Sequence, residues 1–434
     1  MIYTADYLIT QNENRDILEE AALFVSGTRI AEIGPAADVR ARHPGEPVTD
    51  LGAAVLMPGL INGHTHVAMS SMRGLGDDKS LMAWLQEEIF PREANLSREV
   101  QALGVRLSLA ELLRTGCTAI YDMYMRQQVA FEEADRAGIR GVIAENVTRF
   151  YPGLNGNTKE ELFAEIRAMA AAYGKHPRLR LAVTPHAPYT TTPDLLRECR
   201  ALADELGAQF GMHLAETKAE EEQTLAEYGM RPVPYVDSLG ILRDDTSLFH
   251  CVHVDEADMA ILRDRGCVAV HNPASNVKLA SGYAPVAKML ASGVAVAIGT
   301  DGPASNNAQD MFRELWLAAI LGKSVAGDPT AMTARLALDM ATRHGAAAIH
   351  DPEVGSLEPG KKADFIALDL HSPNLCPVND IVSNVVYAST GLENRLTVVD
   401  GRELYRDGRF LTIDTDGLLG EMESIRTWAA HARG

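Results

Sequence analysis

The chain has 434 residues, of which 46 % are hydrophobic and 23 % are charged, as is usual for a globular protein with a large core. Its 40 basic and 59 acidic residues give a net charge of -19, which disfavours nucleic acid and anionic membrane and predicts a small-molecule partner. No run approaches the ~18 apolar residues of a membrane helix. Because the first ten residues lack a signal-peptide pattern and the cysteines lack C-x-x-C spacing, we expect a cytoplasmic protein.

The two ends of the chain predict antiparallel β structure. Residues 2–34 contain "IYTADYLIT" and "AALFVSGTRIAEIG", and residues 363–413 contain "ADFIALDL" and "LTVVDGRELYRDGRFLTI", with two Asp-Gly turn signals. We therefore expect residues 1–54 and 355–434 to form one small β-sandwich domain that ends in a helix.

The middle of the chain alternates apolar runs with amphipathic stretches such as "TPDLLRECRALADEL" at 192–206 and "DEADMAILRDRG" at 255–266. Continuous apolar runs are typical of parallel strands that are buried on both faces. Eight such strand–helix units predict a (β/α)₈ TIM barrel, in fold class α/β, over residues 55–354. The eight runs are 55–64, 117–124, 140–147, 179–186, 208–215, 246–253, 267–274 and 294–301.

The ends of these runs are rich in histidine. Because the active site of a (β/α)₈ barrel lies at the carboxyl ends of its strands, these residues are the first candidates for a functional site. A lone histidine is usually a core or surface residue, but a whole set at strand ends indicates a site. The set comprises His64, His66, His186, His213, His250, His253, His271 and Asp301.

The "GHTH" segment predicts a metal pair. Residues i and i+2 of a strand point to the same side, so His64 and His66 project together into the barrel mouth. His213 and Asp301 can complete a set of three nitrogens and one carboxylate. Zinc is the first candidate for such a set, and iron or manganese remain possible. A divalent metal lowers the pKa of bound water to ~7, which predicts hydrolytic chemistry.

Hydrolysis also requires groups that move protons. Glu216 follows His213 by three residues, in "HLAET", and we assign it as the general acid and base, in contact with substrate. His250 and Asp301 are candidates to orient the attacking water and to accept its proton. The alternative for Glu216 is a charge at the start of a helix.

Four segments carry a resemblance to a known family: "PGLINGHTH", "HLAET", "HNPASNVKLASGYAPV" and "GTDGPASNN". In this order they resemble the amidohydrolase superfamily, and within it the 5′-methylthioadenosine/S-adenosylhomocysteine deaminases. The resemblance implies one metal on His64, His66, His213 and Asp301, because the fourth strand run has no lysine to bridge a second ion. It also implies hydrolysis at the amino-bearing carbon of a purine-like ring, a proton from Glu216 to the ring nitrogen, release of ammonia, and a homo-oligomer.

Candidate substrate contacts follow from the same comparison. The resemblance implies that His186 of "TPHAP" contacts substrate, and that Glu93 in its "P-x-E" context accepts hydrogen bonds from the ribose hydroxyls. Residues 72–94 form a long excursion after the first strand, in which Trp84 is expected to belong to a lid over the ring. Arg149 is a candidate for the 5′ end of the substrate. It lies a few residues after the expected position, where the acidic Glu145 stands near the end of the third strand run.

The preferred interpretation is an aminopurine nucleoside deaminase that acts on methylthioadenosine, adenosylhomocysteine, 5′-deoxyadenosine or adenosine. Because the acidic Glu145 stands where a receptor for the homocysteine carboxylate would be needed, the substrates without a carboxylate are favoured. An s-triazine or free-base hydrolase is the alternative with the same mechanism, because such substrates have no ribose for Glu93 to hold. A noncatalytic ligand-binding barrel is the alternative of another class.

Overall fold

The computed structural model describes residues 1–150 and 158–432, and its strands form two sheets. One sheet is built from both ends of the chain and the other from the middle. In chain order the strands are β1 Ile2–Ile9, β2 Ile17–Ser26, β3 Arg29–Pro35, β4 Val48–Asp50, β5 Ala54–Pro58, β6 Leu60–Thr65, β7 Cys117–Tyr124, β8 Arg140–Val147, β9 Leu179–Pro185, β10 Gln209–Leu214, β11 Thr246–His250, β12 Val268–His271, β13 Ala295–Ile298, β14 Phe365–Asp369, β15 Asn394–Val399, β16 Arg402–Arg406 and β17 Arg409–Phe410.

The terminal sheet has nine strands in the order β17-β16-β15-β14-β5-β1-β2-β3, with β4 paired to β1. It folds over on itself, so that strands from the two ends of the chain share one core. The ring of Tyr3 in β1 packs edge-on against Phe365 in β14 at 5.0 Å, and the Tyr3 hydroxyl donates to Glu403 of β16 at 3.1 Å. The predicted sandwich is therefore one continuous sheet that bends back, so that its two ends pack against each other through the inner face.

The central sheet is the predicted barrel. Its eight strands run parallel in chain order from β6 to β13. The first and last strands meet just beyond their ends, where Thr65 and Asp301 form a parallel bridge and the Asp301 N–H donates to the His64 carbonyl at 3.0 Å. This closure brings the "GHTH" and "GTDG" segments side by side. The (β/α)₈ prediction is confirmed.

The predicted first barrel strand, 55–64, is two strands in two sheets. β5 pairs with β1 and β14 in the terminal sheet, and only β6 belongs to the barrel. Gly59 separates them, and a Cβ at this position would lie 2.1 Å from the Thr118 hydroxyl, so the bend requires a glycine. β5 and β6 are both buried throughout. The hydrophobic pattern therefore predicts a single strand over both.

The helices that connect the strands include those predicted at 192–206 and 255–266, observed as α7 and α10. Each begins at a side-chain cap and ends at a left-handed glycine. No helix among residues 1–150 and 158–432 is long and apolar enough to cross a membrane. The helices are α1 Ala36–Arg42, α2 Leu81–Trp84, α3 Phe90–Glu93, α4 Arg98–Arg114, α5 Gln128–Ala137, α6 Lys159–Tyr173, α7 Pro193–Leu206, α8 Lys218–Tyr228, α9 Pro232–Ser238, α10 Glu256–Arg265, α11 Pro273–Lys278, α12 Val286–Ala291, α13 Met311–Ala326, α14 Ala334–Ala341, α15 Arg343–Ala348, α16 Ile381–Tyr387, α17 Thr415–Gly420 and α18 Met422–His431.

A helical segment covers the mouth of the barrel between β6 and α4. It consists of α2, a π-helical stretch at Leu85–Ile89, and α3. The C-terminal helix α18 packs beneath it, where Arg92 donates to the Ala429 carbonyl at 3.1 Å and Trp428 donates to the Asn95 carbonyl at 2.9 Å. The end of the chain therefore supports the cover of the cavity.

Candidate active site

A cavity of about 650 Å³ opens at the carboxyl ends of the barrel strands. Its volume suits a small organic ligand. Histidines and carboxylates lie at its base, apolar residues of the covering segment form one wall, and the ends of β7 and β8 form another. The lining residues include His66, Met69, Leu81, Trp84, Leu85, Ile89, Phe90, Glu93, Tyr124, Met125, Arg126, Asn146, Thr148, Phe150, His186, Tyr189, His213, Glu216, His250, Asp301 and Ser305.

Imidazole nitrogens converge on one carboxylate oxygen at the base of the cavity. Oδ1 of Asp301 lies 3.4 Å from Nε2 of His64 and 3.2 Å from Nε2 of His66. Nε2 of His213 lies 3.2 Å from Nε2 of His64. Ligand atoms of His64, His213, His250 and Asp301 all lie within 4.8 Å of one another, and all four residues are buried.

The hydrogen bonds behind these rings fix which nitrogen faces the centre. Nδ1 of His213 donates to the His186 carbonyl at 2.9 Å, and Nδ1 of His66 donates to the Met123 carbonyl. Nε2 of each ring therefore presents a lone pair, as in a metal-ligating histidine. Nε2 of His213 faces Nε2 of His64 at 3.2 Å. Two ring nitrogens that face each other in this way can both bind one cation, so these residues fit a divalent metal. His250 belongs to this group of four, and the predicted ligand His66 contacts the same Oδ1 of Asp301 as His64 does.

The charges of the group also fit a cation. Burial lowers the pKa of His64 to about 3 and that of His213 well below its ordinary value, so both rings are neutral. Burial alone would raise the pKa of Asp301, but its contacts with His64 and His66 hold that pKa well below the usual range. The neutral rings of His64 and His213 beside an ionised carboxylate match the protonation states that a metal requires of its ligands, whereas the contact with Asp301 outweighs burial and raises the pKa of His66.

Two serine hydroxyls hold the other oxygen of Asp301. Ser275 donates to Oδ2 at 2.5 Å and Ser305 donates to it at 2.9 Å. These bonds orient the carboxylate so that Oδ1 faces the histidines. Because both oxygens of Asp301 are engaged, its predicted role as a proton acceptor depends on the same Oδ1 atom that faces the metal group.

Left-handed backbone aims several of these side chains. Ala215, His250 and Asp301 have φ values of +54°, +76° and +59°, which non-glycine residues rarely adopt. Each stands at or just after the end of a barrel strand. Such strain is common where a fold must turn a functional side chain toward a site.

Glu216 and His250 lie beside the metal group. Oε2 of Glu216 is 3.9 Å from Nε2 of His250, and Nδ1 of His250 contacts the Asn276 amide oxygen at 2.7 Å. Burial raises the pKa of Glu216, which suits a group that must hold and release a proton. The carboxylate of Glu220 accepts the N–H groups of Ala215 and Glu216, both at 2.8 Å, and thereby fixes the backbone of this loop.

The substrate-contact candidates Glu93, Trp84 and His186 all line the cavity. Tyr124 donates to Oε1 of Glu93 at 2.6 Å. The Trp84 indole N–H donates to the Leu75 carbonyl at 3.2 Å, and Nδ1 of His186 contacts the Thr190 hydroxyl at 3.0 Å. All three predicted contacts therefore lie at one cavity.

Arg149 is placed differently. It is exposed and is not among the lining residues, and its guanidinium lies over the Phe150 ring at 5.4 Å. Arg126 lines the cavity instead. Glu145 is not among the lining residues, and its carboxylate accepts the N–H groups of Arg126 and Gln127, both at 2.7 Å, just before α5.

Three strand-end histidines are not among the lining residues: His64, which is fully buried, and His253 and His271. His253 donates to the Ser281 carbonyl at 2.8 Å, and His271 packs against Tyr283 at 4.8 Å. The site also contains residues that sequence reasoning missed, namely Tyr124, Arg126, Asn146, Ser275, Ser305 and Glu220. Tyr124 could have been found as the last residue of its strand run, and the serines as members of the quoted "HNPAS" and "GPAS" motifs.

Comparison with known proteins agrees with the fold. Residues 55–404 match the model of the amidohydrolase family, and residues 21–45 match a bacterial imidazolonepropionase-like composite domain. A 5-methylthioadenosine/S-adenosylhomocysteine deaminase of Nitratidesulfovibrio vulgaris (strain DP4) is 45 % identical over 99 % of this chain and 97 % of its own length. A protein of the same name from Desulfovibrio desulfuricans is 46 % identical over 99 % of this chain and 98 % of its own length.

Solved structures give the same result. The zinc-bound crystal structure of an adenosine deaminase from Xanthomonas campestris superposes with a TM-score of 0.95 at 34 % identity, over 99 % of this chain and 98 % of that one. The atrazine chlorohydrolase TrzN from Arthrobacter aurescens superposes with a TM-score of 0.90 over 98 % of this chain and 99 % of its own, but at 22 % identity it shows the fold alone. On the family match and the full-length relatives, this chain belongs to the amidohydrolase family.

Proposed function

We propose that this chain is a metal-dependent hydrolytic deaminase of adenosine-type nucleosides, which replaces the 6-amino group by oxygen and releases ammonia. The candidate substrates are 5′-methylthioadenosine, S-adenosylhomocysteine, 5′-deoxyadenosine and adenosine. The observation that carries the proposal is the convergence of His64, His213 and Asp301 at the base of the cavity, beside Glu216. The names of the full-length relatives support the same substrate class.

The proposed metal ligands are His64, His66, His213 and Asp301, with His250 adjacent. A divalent cation here would act as a Lewis acid and supply a nucleophile near neutral pH by lowering the pKa of coordinated water. Zinc is the proposed ion because the adenosine deaminase of known structure carries zinc, while iron and manganese suit the same donors.

The chain's own residues would manage the protons. Glu216, whose pKa is raised by burial, would donate a proton to the ring nitrogen next to the amino-bearing carbon. His250 and Asp301 would hold the water that adds to that carbon and take its proton. As the carbon–nitrogen bond breaks, the amino group would leave with that proton as ammonia, and the new hydroxyl group would return its proton to Glu216 as the carbonyl forms.

Glu93 would hold the ribose through its 2′ and 3′ hydroxyls, and His186 and Trp84 would contact the ring. A carboxylate in this position can accept two hydroxyl donors. The substrate role of Arg149 stays a prediction. Arg149 is exposed and is not among the lining residues. The resemblance to the family also supports a homo-oligomer, which a solution mass measurement tests.

An ammonia-release screen tests the proposal. The panel contains adenosine, 5′-deoxyadenosine, methylthioadenosine, adenosylhomocysteine, guanine and a chlorotriazine. Turnover confined to the nucleosides is the expected result, and turnover of the triazine or the free base alone would favour the alternative. In Glu93→Ala the nucleosides should lose most of their turnover, whereas unaltered turnover would contradict the ribose contact. Protein that holds no divalent metal and acts on no aminopurine would contradict the enzyme proposal.

A further inference from the structure

Basic side chains are scarce in the lining of the cavity. Glu93, Glu216 and Asp301 are acidic, and Arg126 is the one lysine or arginine among the described lining residues. Apart from the proposed metal, Arg126 is therefore the one candidate partner with a permanent positive charge that the described lining offers to a negatively charged group of a ligand.

That partner is already engaged by the protein. Nη1 of Arg126 donates to the Leu96 carbonyl at 2.8 Å, and Nη2 donates to the Glu93 carbonyl at 3.2 Å. Its backbone N–H donates to Glu145 at 2.7 Å. The guanidinium thus holds the chain around Glu93 in place.

The charge of Arg126 is also shared between two buried carboxylates. Burial raises the pKa values of Glu93 and Glu145, and the positive charge of Arg126 opposes this rise in both. The guanidinium is therefore committed to the protein before a ligand enters. A carboxylate brought by a ligand would find no uncommitted guanidinium among the described lining residues.

The remaining walls offer no compensating charge. Residues 81–90 contribute apolar side chains, and β8 contributes Asn146 and Thr148, which are polar but neutral. The cavity of about 650 Å³ is nevertheless large enough to hold a nucleoside with an extended 5′ chain. The size of the cavity therefore permits a long 5′ substituent. Its walls would instead discriminate between substituents by their charge.

We propose that this site selects among 5′-substituted adenosines by charge, and that it prefers uncharged 5′ groups such as methylthio over the zwitterionic amino-acid chain of adenosylhomocysteine. The physical reason is that a carboxylate taken from water into this cavity finds no free cation to replace its hydration. The inference rests on the proposed function and refines its substrate class.

Three substrates that share the adenosine part test it. They are 5′-methylthioadenosine, 5′-butylthio-5′-deoxyadenosine, which matches the homocysteine chain in length but has no charge, and S-adenosylhomocysteine. We expect kcat/KM for the two uncharged thioethers to agree within about threefold and that for adenosylhomocysteine to be at least ~tenfold lower. Equal kcat/KM for adenosylhomocysteine and the butylthio compound would overturn the proposal. So would a butylthio compound as poor as adenosylhomocysteine, because length would then decide.

Three variants extend the test. In Asn146→Arg, and independently in Thr148→Arg, the ratio of adenosylhomocysteine to methylthioadenosine turnover should rise at least ~tenfold, because each supplies an uncommitted guanidinium at the cavity wall. An unchanged ratio in variants that still turn over methylthioadenosine would overturn the proposal. A loss of adenosylhomocysteine turnover alone in Arg149→Ala would overturn it as well, by placing the carboxylate at the rim. Failure to deaminate any adenosine derivative would instead contradict the proposed function.

Discussion

Tyr124, the last residue of β7, donates a hydrogen bond to Oε1 of Glu93 at 2.6 Å. The two side chains come from different walls of the cavity, since Glu93 ends α3 of the covering segment. The bond therefore ties the cover to the barrel and fixes one oxygen of the proposed ribose contact. Sequence reasoning found the acid but missed the phenol that positions it.

Tyr124→Phe removes this bond without changing the ring. A hydrogen bond to a charged group contributes ~1.5–3 kcal/mol, so we expect KM for adenosine to rise at least ~tenfold while kcat changes less. Steady-state kinetics measure the change. Tyr173→Phe is the matched control, because Tyr173 stacks on Phe131 outside the cavity. A fall in kcat with unchanged KM would contradict a role in holding the ribose.

Glu216→Gln tests the assigned acid and base. The amide keeps the shape but cannot donate the proton, and loss of general acid–base catalysis lowers kcat by ~10²–10⁴-fold. Metal content should be unchanged, because Glu216 is outside the proposed ligand set. Glu222 is exposed on α8, the helix that follows Glu216, and offers a control. Glu222→Gln should retain full activity. Substantial activity in Glu216→Gln would exclude it as the proton donor.

The sequence predicted the base of the cavity better than its walls. His64, His66, His213 and Asp301 follow from the two-residue period of a strand and the rule for barrel strand ends. These signals are local and survive small errors in strand bounds. The boundary at Gly59 was missed, because a buried apolar run has no feature that distinguishes one sheet from another.

Arg126 and Arg149 show why the walls were harder to predict. Arg126 has a left-handed backbone, with φ of +55°, at the turn between β7 and α5, and nothing local in "YMRQQ" indicates that it lines the cavity. Arg149 stands nearer to its expected strand end but lies on the surface. Side-chain direction after a strand ends depends on the turn, which spacing does not specify.

The serine contacts with Asp301 should affect metal binding. Ser275→Ala or Ser305→Ala removes one of the two donors to Oδ2. Loss of such an outer contact typically lowers metal affinity ~10–100-fold. Competition with a chelator measures the affinity, and the exposed Ser424 provides the control variant Ser424→Ala. Unchanged affinity in both site variants would show that Asp301 needs no such orientation.

Glu145 should make stability depend on pH. Burial raises its pKa from 4.5 to about 8, so the folded state binds a proton that the unfolded state releases between these values. The contribution is fully present below about pH 4.5 and is lost as the pH rises through about 8, so it lowers the free energy of unfolding with increasing pH.

Glu145→Gln isolates this contribution. Denaturant unfolding at several pH values between 5 and 8 measures the free energy of unfolding. This free energy should decrease less with rising pH in the variant than in the unaltered chain, because glutamine does not titrate. Other buried acids, Glu220 and Glu314, also have pKa values raised to about 8. The difference between the two proteins is therefore the quantity to measure. Equal decreases would show that Glu145 does not titrate in this range.

We propose that the cavity is a one-metal deaminase centre, and a metal titration of the apoprotein tests this proposal. Chelator-treated protein is mixed with adenosine or methylthioadenosine, and ammonia release is followed as Zn²⁺ is added. We expect negligible activity without metal and a rise to a plateau at one equivalent per chain, abolished in His64→Ala. Full activity in protein shown by elemental analysis to be free of metal, or a plateau only at two equivalents, would contradict it.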